Sequence, residues 1–214
     1  MVPRLAVILF LALGSPVCAE GGNPEPTPVV TVPSEAVGKP DLRDELLKRR
    51  DLDQEIRNEM IRAGLQHPDE AIGARMGAID RDNTARLKEI IKQYGWPAPE
   101  LVGSDGAFAM WLLVQHSEPE FQEQVLPLVR GAYLARKLPG QCYALLLDRV
   151  LVRQGKPQVY GSQGRPISEW KDHVPALAPI DDEKNVDKRR AEVGLPRLSE
   201  YIQSLKRTYF PNDK

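Results

Sequence analysis

The chain has 214 residues, of which 29 are Lys or Arg and 30 are Asp or Glu, giving a formal net charge of −1. Charges of both signs are interspersed, so no strong field attracts a polyanion, and nucleic acid and anionic membranes are not expected as partners. The length allows one or two domains, and the composition favours one compact domain with extended ends.

The N-terminus has the pattern of a secretory signal peptide. Arg4 precedes an apolar run from Leu5 to Leu13, and the small residues Val17 and Ala19 fit a cleavage before Glu20. The run is shorter than the roughly 20 residues of a stable membrane span. We therefore predict export of residues 20–214 to the periplasm or beyond, with a net charge of −2 once Arg4 is removed. Acylation of Cys18, as in a lipoprotein, is the less favoured alternative.

A proline- and glycine-rich stretch, residues 20–40, follows the signal peptide and is predicted to be a disordered spacer. Residues 41–210 form the predicted helical domain. Its first helix is expected from Leu42 to Ala63, where Gly64 and the turn at residues 66–68 end it. A second helical segment begins near Asp69, with a restart at residues 80–83, and ends at Tyr94 before the C-cap Gly95.

The next segment, Gly106 to His116, is apolar almost all round, which is typical of a helix at the centre of a bundle. A helix from Pro119 to Lys137 follows, with a kink or break expected at Pro127. Gln141 to Val152 forms a further helix.

A short hairpin or an ordered loop is expected near residues 155–165, followed by an ordered loop from Pro166 to Pro179. Two last helices are expected over Asp181 to Val193 and Ser199 to Tyr209. Together these elements predict an all-α fold, a single irregular bundle of about five to seven helices.

Gln115 and His116 end the most apolar helix, at the rim of the core. With an ordinary pKa near ~6.5, a partly desolvated and reachable histidine suits general acid or base catalysis. The competing interpretation is a histidine that caps the helix end, since no recognisable nucleophile motif accompanies it.

Asp148 and Arg149 follow five apolar residues, so whichever side chain points inward needs a partner. Adjacent helical residues point in different directions, and each of the two must therefore reach another element, such as Asp80, Arg81, Arg86 or Gln163. Two interpretations remain open for Asp148 and Arg149: each forms a buried structural pair with another side chain, or each binds a ligand.

Gln158, Tyr160 and Gln163 surround Gly161 and offer neutral amide and phenol groups. Such groups orient a polar ligand better than they transfer protons, and the competing interpretation is that they satisfy backbone groups of the loop.

No metal site and no cofactor is predicted, because His67, His116 and His173 lie far apart and no metal-binding spacing occurs. Asp80, Asp82 and Asn83 are interpreted as an N-cap cluster rather than a cation site. Cys142, the only cysteine after the signal peptide, is expected to be a small buried hydrophobe.

Several ordered blocks stand out over about residues 41–203: Arg43 to Leu47, Gly95-Trp96-Pro97, Val114-Gln115-His116, Leu147 to Val152, Gly155, Pro157-Gln158, Tyr160 to Gln163, and Val186 to Arg190 with Gly194-Leu195-Pro196. Together they resemble a bacterial domain family described only as being of unknown function. The family commonly has Thr at the position of Ser162, which keeps the hydroxyl. The resemblance implies a mostly helical domain found in secreted and cytoplasmic forms, and it supplies no reaction.

These observations predict an exported helical domain that binds a small polar ligand or peptide group near His116, Asp148 and Gln158–Gln163. The residues named for ligand binding are Gln115, Arg149, Gln158, Tyr160 and Gln163. An alternative is a hydrolase or transferase, with His116 as general base and Asp148 orienting it or the substrate. A third is a protein-interaction module that uses Trp96, Trp111 or Trp170.

Overall fold

The structure is a computed structural model that describes residues 37–63 and 69–210. The predicted signal peptide, most of the predicted spacer and the predicted turn at residues 66–68 lie outside the described residues. The described part forms seven α-helices without a β-sheet, which confirms the all-α bundle. The helices are α1 Pro40–Ala63, α2 Glu70–Tyr94, α3 Pro99–Gln115, α4 Pro119–Leu134, α5 Gly140–Arg153, α6 Val186–Glu192 and α7 Leu198–Tyr209.

Helix α3 is the centre of the bundle, as its uniformly apolar sequence predicts. Ten of its residues are buried, including every residue from Ala109 to Gln115. It packs mainly against α1, while α4 and α5 pack against each other and close the other side of the core. A helix without a polar face has to be surrounded in this way, because any exposed face would leave apolar surface in water.

Helix α3 begins earlier than expected because its first turn is joined to the rest across a kink at Gly103. Gly103 has φ 73° and ψ 163°, a conformation that is strained for residues with a Cβ. Asp105 then accepts the backbone N–H of Gly106 at 2.8 Å and pairs with Arg43 of α1. These contacts fix the start of the buried half of α3.

Two other boundaries differ from the sequence-based expectation. Helix α2 runs unbroken through residues 80–83, so the interpretation of Asp80, Asp82 and Asn83 as an N-cap cluster is wrong; Asp69 is the residue that caps α2, through Ala71 and Ile72. Helix α4 continues through Pro127 without a break. Pro127 lies on the exposed face of α4, and the carbonyl that loses its helical partner belongs to Glu123, which is also exposed.

Residues 158–165 form an ordered loop rather than a hairpin. Their backbone pairs with residues 176–181 through isolated bridges, between Gln158 and Ile180 and between Gly164 and Leu177. The first bridge carries hydrogen bonds from Gln158 N to Pro179 O and from Asp181 N to Gln158 O, of 2.9 and 2.8 Å. The long connection from α5 to α6 is therefore folded back on itself beside α5.

Within the described ranges, no helix is both long and apolar enough to cross a membrane. Cys142 is buried in the core, and burial raises the pKa of its thiol to about 12.

Candidate functional site

His116 lies directly after the last residue of α3 and its side chain is only 7% exposed. Its Nδ1 atom is 3.0 Å from Asp53 Oδ1 and 2.9 Å from Asp53 Oδ2. Asp53 is fully buried on α1. The end of the central helix therefore places an imidazole against a buried carboxylate.

Arg57 lies one helical turn after Asp53 and joins the pair to α2. Its Nε atom donates to His116 Nδ1 at 2.9 Å. Its Nη2 atom is 3.1 Å from Asp53 Oδ1 and 2.6 Å from Asp80 Oδ1. We call Asp53, Arg57, Asp80 and His116 the ionic cluster. It connects α1, α2 and α3 through side chains that are mostly withdrawn from water.

The surroundings of the ionic cluster set its charges at neutral pH. Burial lowers the pKa of His116 to about 4, and the charge of Arg57 acts in the same direction against the adjacent Asp53 carboxylate. Burial also raises the pKa of Asp80 to about 6 against the opposing charge of Arg57. Burial on its own raises the pKa of Asp53, but the contact with His116 and the charge of Arg57 lower it overall. At pH 7 the imidazole is neutral and both carboxylates are mainly ionised.

Gln115 and Arg149 extend the buried polar region toward α5. Arg149 Nε donates to Gln115 Oε1 at 3.0 Å, and both residues are buried. Burial, and then the charges of Arg153 and Arg57, lower the pKa of Arg149 to about 9, so Arg149 remains a cation at pH 7. Gln115 directly precedes His116, so Arg149 bonds to the residue next to the ionic cluster.

Several buried nitrogens of this region have no hydrogen-bond partner among the described residues. They are Asn83 Nδ2, Gln115 Nε2 and His116 Nε2. Asn83 lies on the same face of α2 as Asp80, three residues further along the chain. A buried donor without a partner destabilises the fold by about 1–3 kcal/mol, so each such atom calls for a ligand or an ordered water.

Asp148 points away from this region and holds the loop after α5. Its carboxylate accepts the backbone N–H groups of Val159, Tyr160 and Ser162, at 2.7, 3.0 and 2.9 Å. Burial raises the pKa of Asp148 against these hydrogen bonds. Asp148 and Arg149 each reach another element, as expected, but their hydrogen bonds go to loop backbone and Gln115 instead of Asp80, Arg81, Arg86 or Gln163.

The glutamines of the loop bond to the protein itself. Gln158 Nε2 donates to the backbone carbonyls of Gln163 and Ala178, at 3.0 and 2.8 Å, and its Oε1 accepts the Gln163 N–H at 2.7 Å. Gln163 Nε2 donates to Ser162 Oγ at 3.1 Å. These bonds fit the interpretation in which the amides satisfy loop backbone, and ligand binding by Gln158 and Gln163 stays a prediction.

Helices α6 and α7 each hold the same loop by a side-chain hydrogen bond. Arg190 Nη1 donates to the Tyr160 carbonyl at 2.6 Å, and the Tyr201 hydroxyl donates to the Ser162 carbonyl at 2.8 Å. Burial raises the pKa of the Tyr160 phenol to about 12, which keeps it protonated. Residues 186–201 are therefore in contact with the loop that follows α5.

The predicted site residues thus fall into two neighbouring groups that meet on α5. Gln115, His116 and Arg149 lie with the ionic cluster, whereas Asp148, Gln158, Tyr160 and Gln163 belong to the loop network. Of the tryptophans considered for an interface, Trp111 is buried and donates to the Cys142 carbonyl at 2.8 Å, and Trp96 and Trp170 are half-buried.

Sequence analysis did not single out Asp53 and Arg57. A signal for them is present in α1, because Leu46, Asp53, Arg57 and Met60 recur at the spacing of a buried helical stripe. Charged residues within an apolar stripe must find partners when the helix packs.

No group of three or more His, Cys, Asp or Glu side chains in residues 37–63 and 69–210 has the arrangement of a metal site.

The fold and this region define a class of protein: an all-helical domain with a buried ionic cluster at the end of its central helix. The chain belongs to DUF6624, a family of unknown function whose model matches residues 40–212. No curated protein and no solved structure matches the chain.

Proposed function

We propose that the chain binds a small polar ligand, or the peptide group of a longer one, beside Gln115, His116 and Arg149. One observation carries this proposal: Asn83 Nδ2, Gln115 Nε2 and His116 Nε2 are buried and have no hydrogen-bond partner among the described residues. Ligand sites are distinguished by a few polar groups placed among apolar walls, and α3 supplies such walls here.

The chemistry of these atoms specifies what the ligand presents to them. The side-chain amide nitrogens of Asn83 and Gln115 only donate hydrogen bonds. The facing ligand group therefore carries acceptor oxygens, as a carbonyl, carboxylate or hydroxyl group does. The nearby cationic side chain of Arg149 also favours a ligand group with acceptor oxygens.

We assign Asp148, Gln158, Tyr160 and Gln163 to the support of this site rather than to direct ligand contact. The polar atoms of the Gln158 side chain already bond to backbone groups of the loop. A ligand that took these partners would first have to release them. The loop instead fixes the α5 backbone next to Arg149.

A second candidate function is a hydrolase or transferase in which His116 acts as general base. The observation that favours it is the 2.9 Å distance between His116 Nδ1 and Asp53 Oδ2, since a carboxylate at Nδ1 leaves Nε2 to accept a proton. If His116 is the general base, its imidazole is oriented by Asp53 and not by Asp148. It ranks second because Arg57 Nε also donates to Nδ1, which favours the tautomer with its proton on Nε2.

We further propose that residues 1–19 are a signal peptide, so that the domain acts in the periplasm or outside the cell. N-terminal sequencing of the protein secreted or exported by its host should begin at Glu20. A protein that retains Met1 in the cytoplasm would contradict export.

The binding proposal is tested by thermal unfolding of the purified chain with free amino acids, dipeptides and monosaccharides. A ligand at 100 times its Kd adds about 2.7 kcal/mol of stability, which raises the midpoint by several degrees. We expect this rise for at least one compound, and we expect its loss in Gln115→Glu, which keeps the acceptor for Arg149 but removes the amide donor.

Gln124→Glu, the same change at an exposed position of α4, is the matched control and should respond as the wild type does. The proposal fails if no compound in the panel raises the midpoint, or if Gln115→Glu responds as strongly as Gln124→Glu.

A further inference from the structure

A separate cavity of about 500 Å³ lies toward the other end of α3, where α3 faces the connection between α4 and α5. This volume is within the range of about 300–1,000 Å³ that small-molecule sites occupy. Phe108 and Gln115 are seven residues apart on α3, so the cavity is about 10 Å along the helix from the polar site. The residues that line the cavity include Ser104, Phe108, Tyr133, Arg136, Lys137 and Gly140.

Aromatic rings provide the apolar part of the cavity. Phe108 is 37% exposed, although its neighbours Ala107 and Ala109 are buried. Its ring is 5.1 Å from the ring of Trp111 between centroids, and the ring of Tyr133 stacks on Tyr143 at 5.5 Å. Both rings are held by other rings and leave part of their surface open, which suits a flat apolar group.

The polar part of the cavity is cationic. Lys137 Nζ is 3.1 Å from Glu100 Oε1, so this lysine is already paired. Arg136 is exposed, and its guanidinium has no ion-pair or hydrogen-bond partner in the part of the chain that the structure describes. The cavity therefore retains a positive charge at Arg136.

The backbone of Arg136 ends helix α4. Its φ of 57° lies in the left-handed region, where a non-glycine residue costs about 1–2 kcal/mol. Its N–H donates to the Tyr133 carbonyl at 2.9 Å, which holds the turn after α4. Lys137 N–H also donates to the Ala132 carbonyl at 2.9 Å, and the two bonds together form a Schellman motif, so the left-handed residue is the ordinary end of α4 and fixes the position of Arg136 beside the cavity.

We propose that this cavity binds a small carboxylate with a flat apolar body, such as an aryl-alkyl acid. The apolar body lies against Phe108 and Tyr133, and the carboxylate pairs with Arg136, whose planar guanidinium matches two carboxylate oxygens. The site is independent of the polar site at Gln115 and His116, since the two share no residue.

Calorimetric titration of the purified chain with phenylacetate, and with its neutral isostere phenylacetamide, tests this assignment. We expect phenylacetate to bind at least about tenfold more tightly than phenylacetamide, with a preference that weakens as salt is added. Arg136→Asn should remove the preference, and it should fold normally because asparagine tolerates the left-handed region.

Phe108→Ala should weaken binding of both compounds, and Arg130→Gln, on the exposed face of α4, should change neither. Equal affinity for acid and amide overturns the proposal. Unchanged phenylacetate binding in Arg136→Asn also overturns it, as does the absence of binding up to about 10 mM, beyond the range of ordinary weak ligands.

Discussion

The Nδ1 atom of His116 lies 2.9 Å from both Asp53 Oδ2 and Arg57 Nε. One ring nitrogen cannot donate to the carboxylate and accept from the guanidinium at the same time. Asp53 also faces Arg57 Nη2 and Gln54 Nε2, at 3.1 and 2.8 Å, whereas Arg57 Nε has His116 as its acceptor. We therefore expect the proton of neutral His116 on Nε2, where it serves as a donor toward a ligand.

Two buried glutamines should respond in opposite ways to the same substitution. Gln115→Glu gives Arg149 an anionic acceptor and removes a donor without a partner, so we expect stability to be kept or raised. Gln122 Nε2 donates to the carbonyls of Val114, Gln115 and Ser117, at 2.9, 2.8 and 3.2 Å. Gln122→Glu also keeps an acceptor for Arg153, but it places a carboxylate oxygen against these three carbonyls, so it should lower the unfolding free energy by about 2–4 kcal/mol.

Urea denaturation of both variants beside the wild type measures this difference. A Gln122→Glu protein as stable as Gln115→Glu would contradict the hydrogen-bond pattern at the end of α3.

Asp80 and His116 should contribute opposing pH dependences to stability. The pKa of His116 is about 4 in the folded chain against an ordinary 6.5, so its contribution is present above pH 6.5 and is lost as the pH falls toward 4. The pKa of Asp80 is about 6 against 3.8, so its contribution is present below pH 3.8 and is lost as the pH rises through 6. Each amounts to about 3 kcal/mol at most.

Single substitutions separate the two contributions between pH 4 and pH 6.5. Asp80→Asn should lose stability more steeply than the wild type as the pH falls, because only the contribution of His116 remains. His116→Gln should instead become more stable relative to the wild type as the pH falls from 6.5 to 4. Identical slopes for all three proteins, from urea denaturation at several pH values, would show that the two groups titrate normally.

Asp148 is expected to act on stability through the loop. Asp148→Asn replaces one acceptor oxygen with an NH2 group that faces backbone N–H donors, so we expect a loss of about 2–3 kcal/mol. Asp51→Asn, an exposed control on α1, should lose less than about 1 kcal/mol. If thermal and urea unfolding of Asp148→Asn match the wild type, the carboxylate is not the anchor of the loop.

The helical framework could be predicted from the sequence because helix periodicity and terminators are local signals. The all-apolar run of α3 identified the central helix, and Gly95 and Pro139 fall where helices end or begin. The start of α3 at Pro99 could not be predicted, because it depends on a kink at Gly103 beside the pair of Arg43 and Asp105, which are 62 residues apart along the chain.

The site could be predicted only in part, because contacts between residues that are distant along the chain leave no local signal in the sequence. His116 and Gln115 were identified from their place at the end of an apolar helix, and Arg149 from its burial. The partners Asp53 and Asp80 lie 63 and 36 residues before His116, and only the packing of α1 and α2 brings them together. Whether Gln158 faces a ligand or the backbone is likewise decided by the fold of the loop.

The most direct test of the account is a nitrogen NMR spectrum of the chain labelled at histidine rings and glutamine side chains. We predict a protonated Nε2 in His116 at pH 7, and shifts of this nitrogen and of the Gln115 amide when the compound that most raises the unfolding midpoint is added. A proton on Nδ1, with the Gln115 amide unmoved by that compound, would contradict ligand binding at this site.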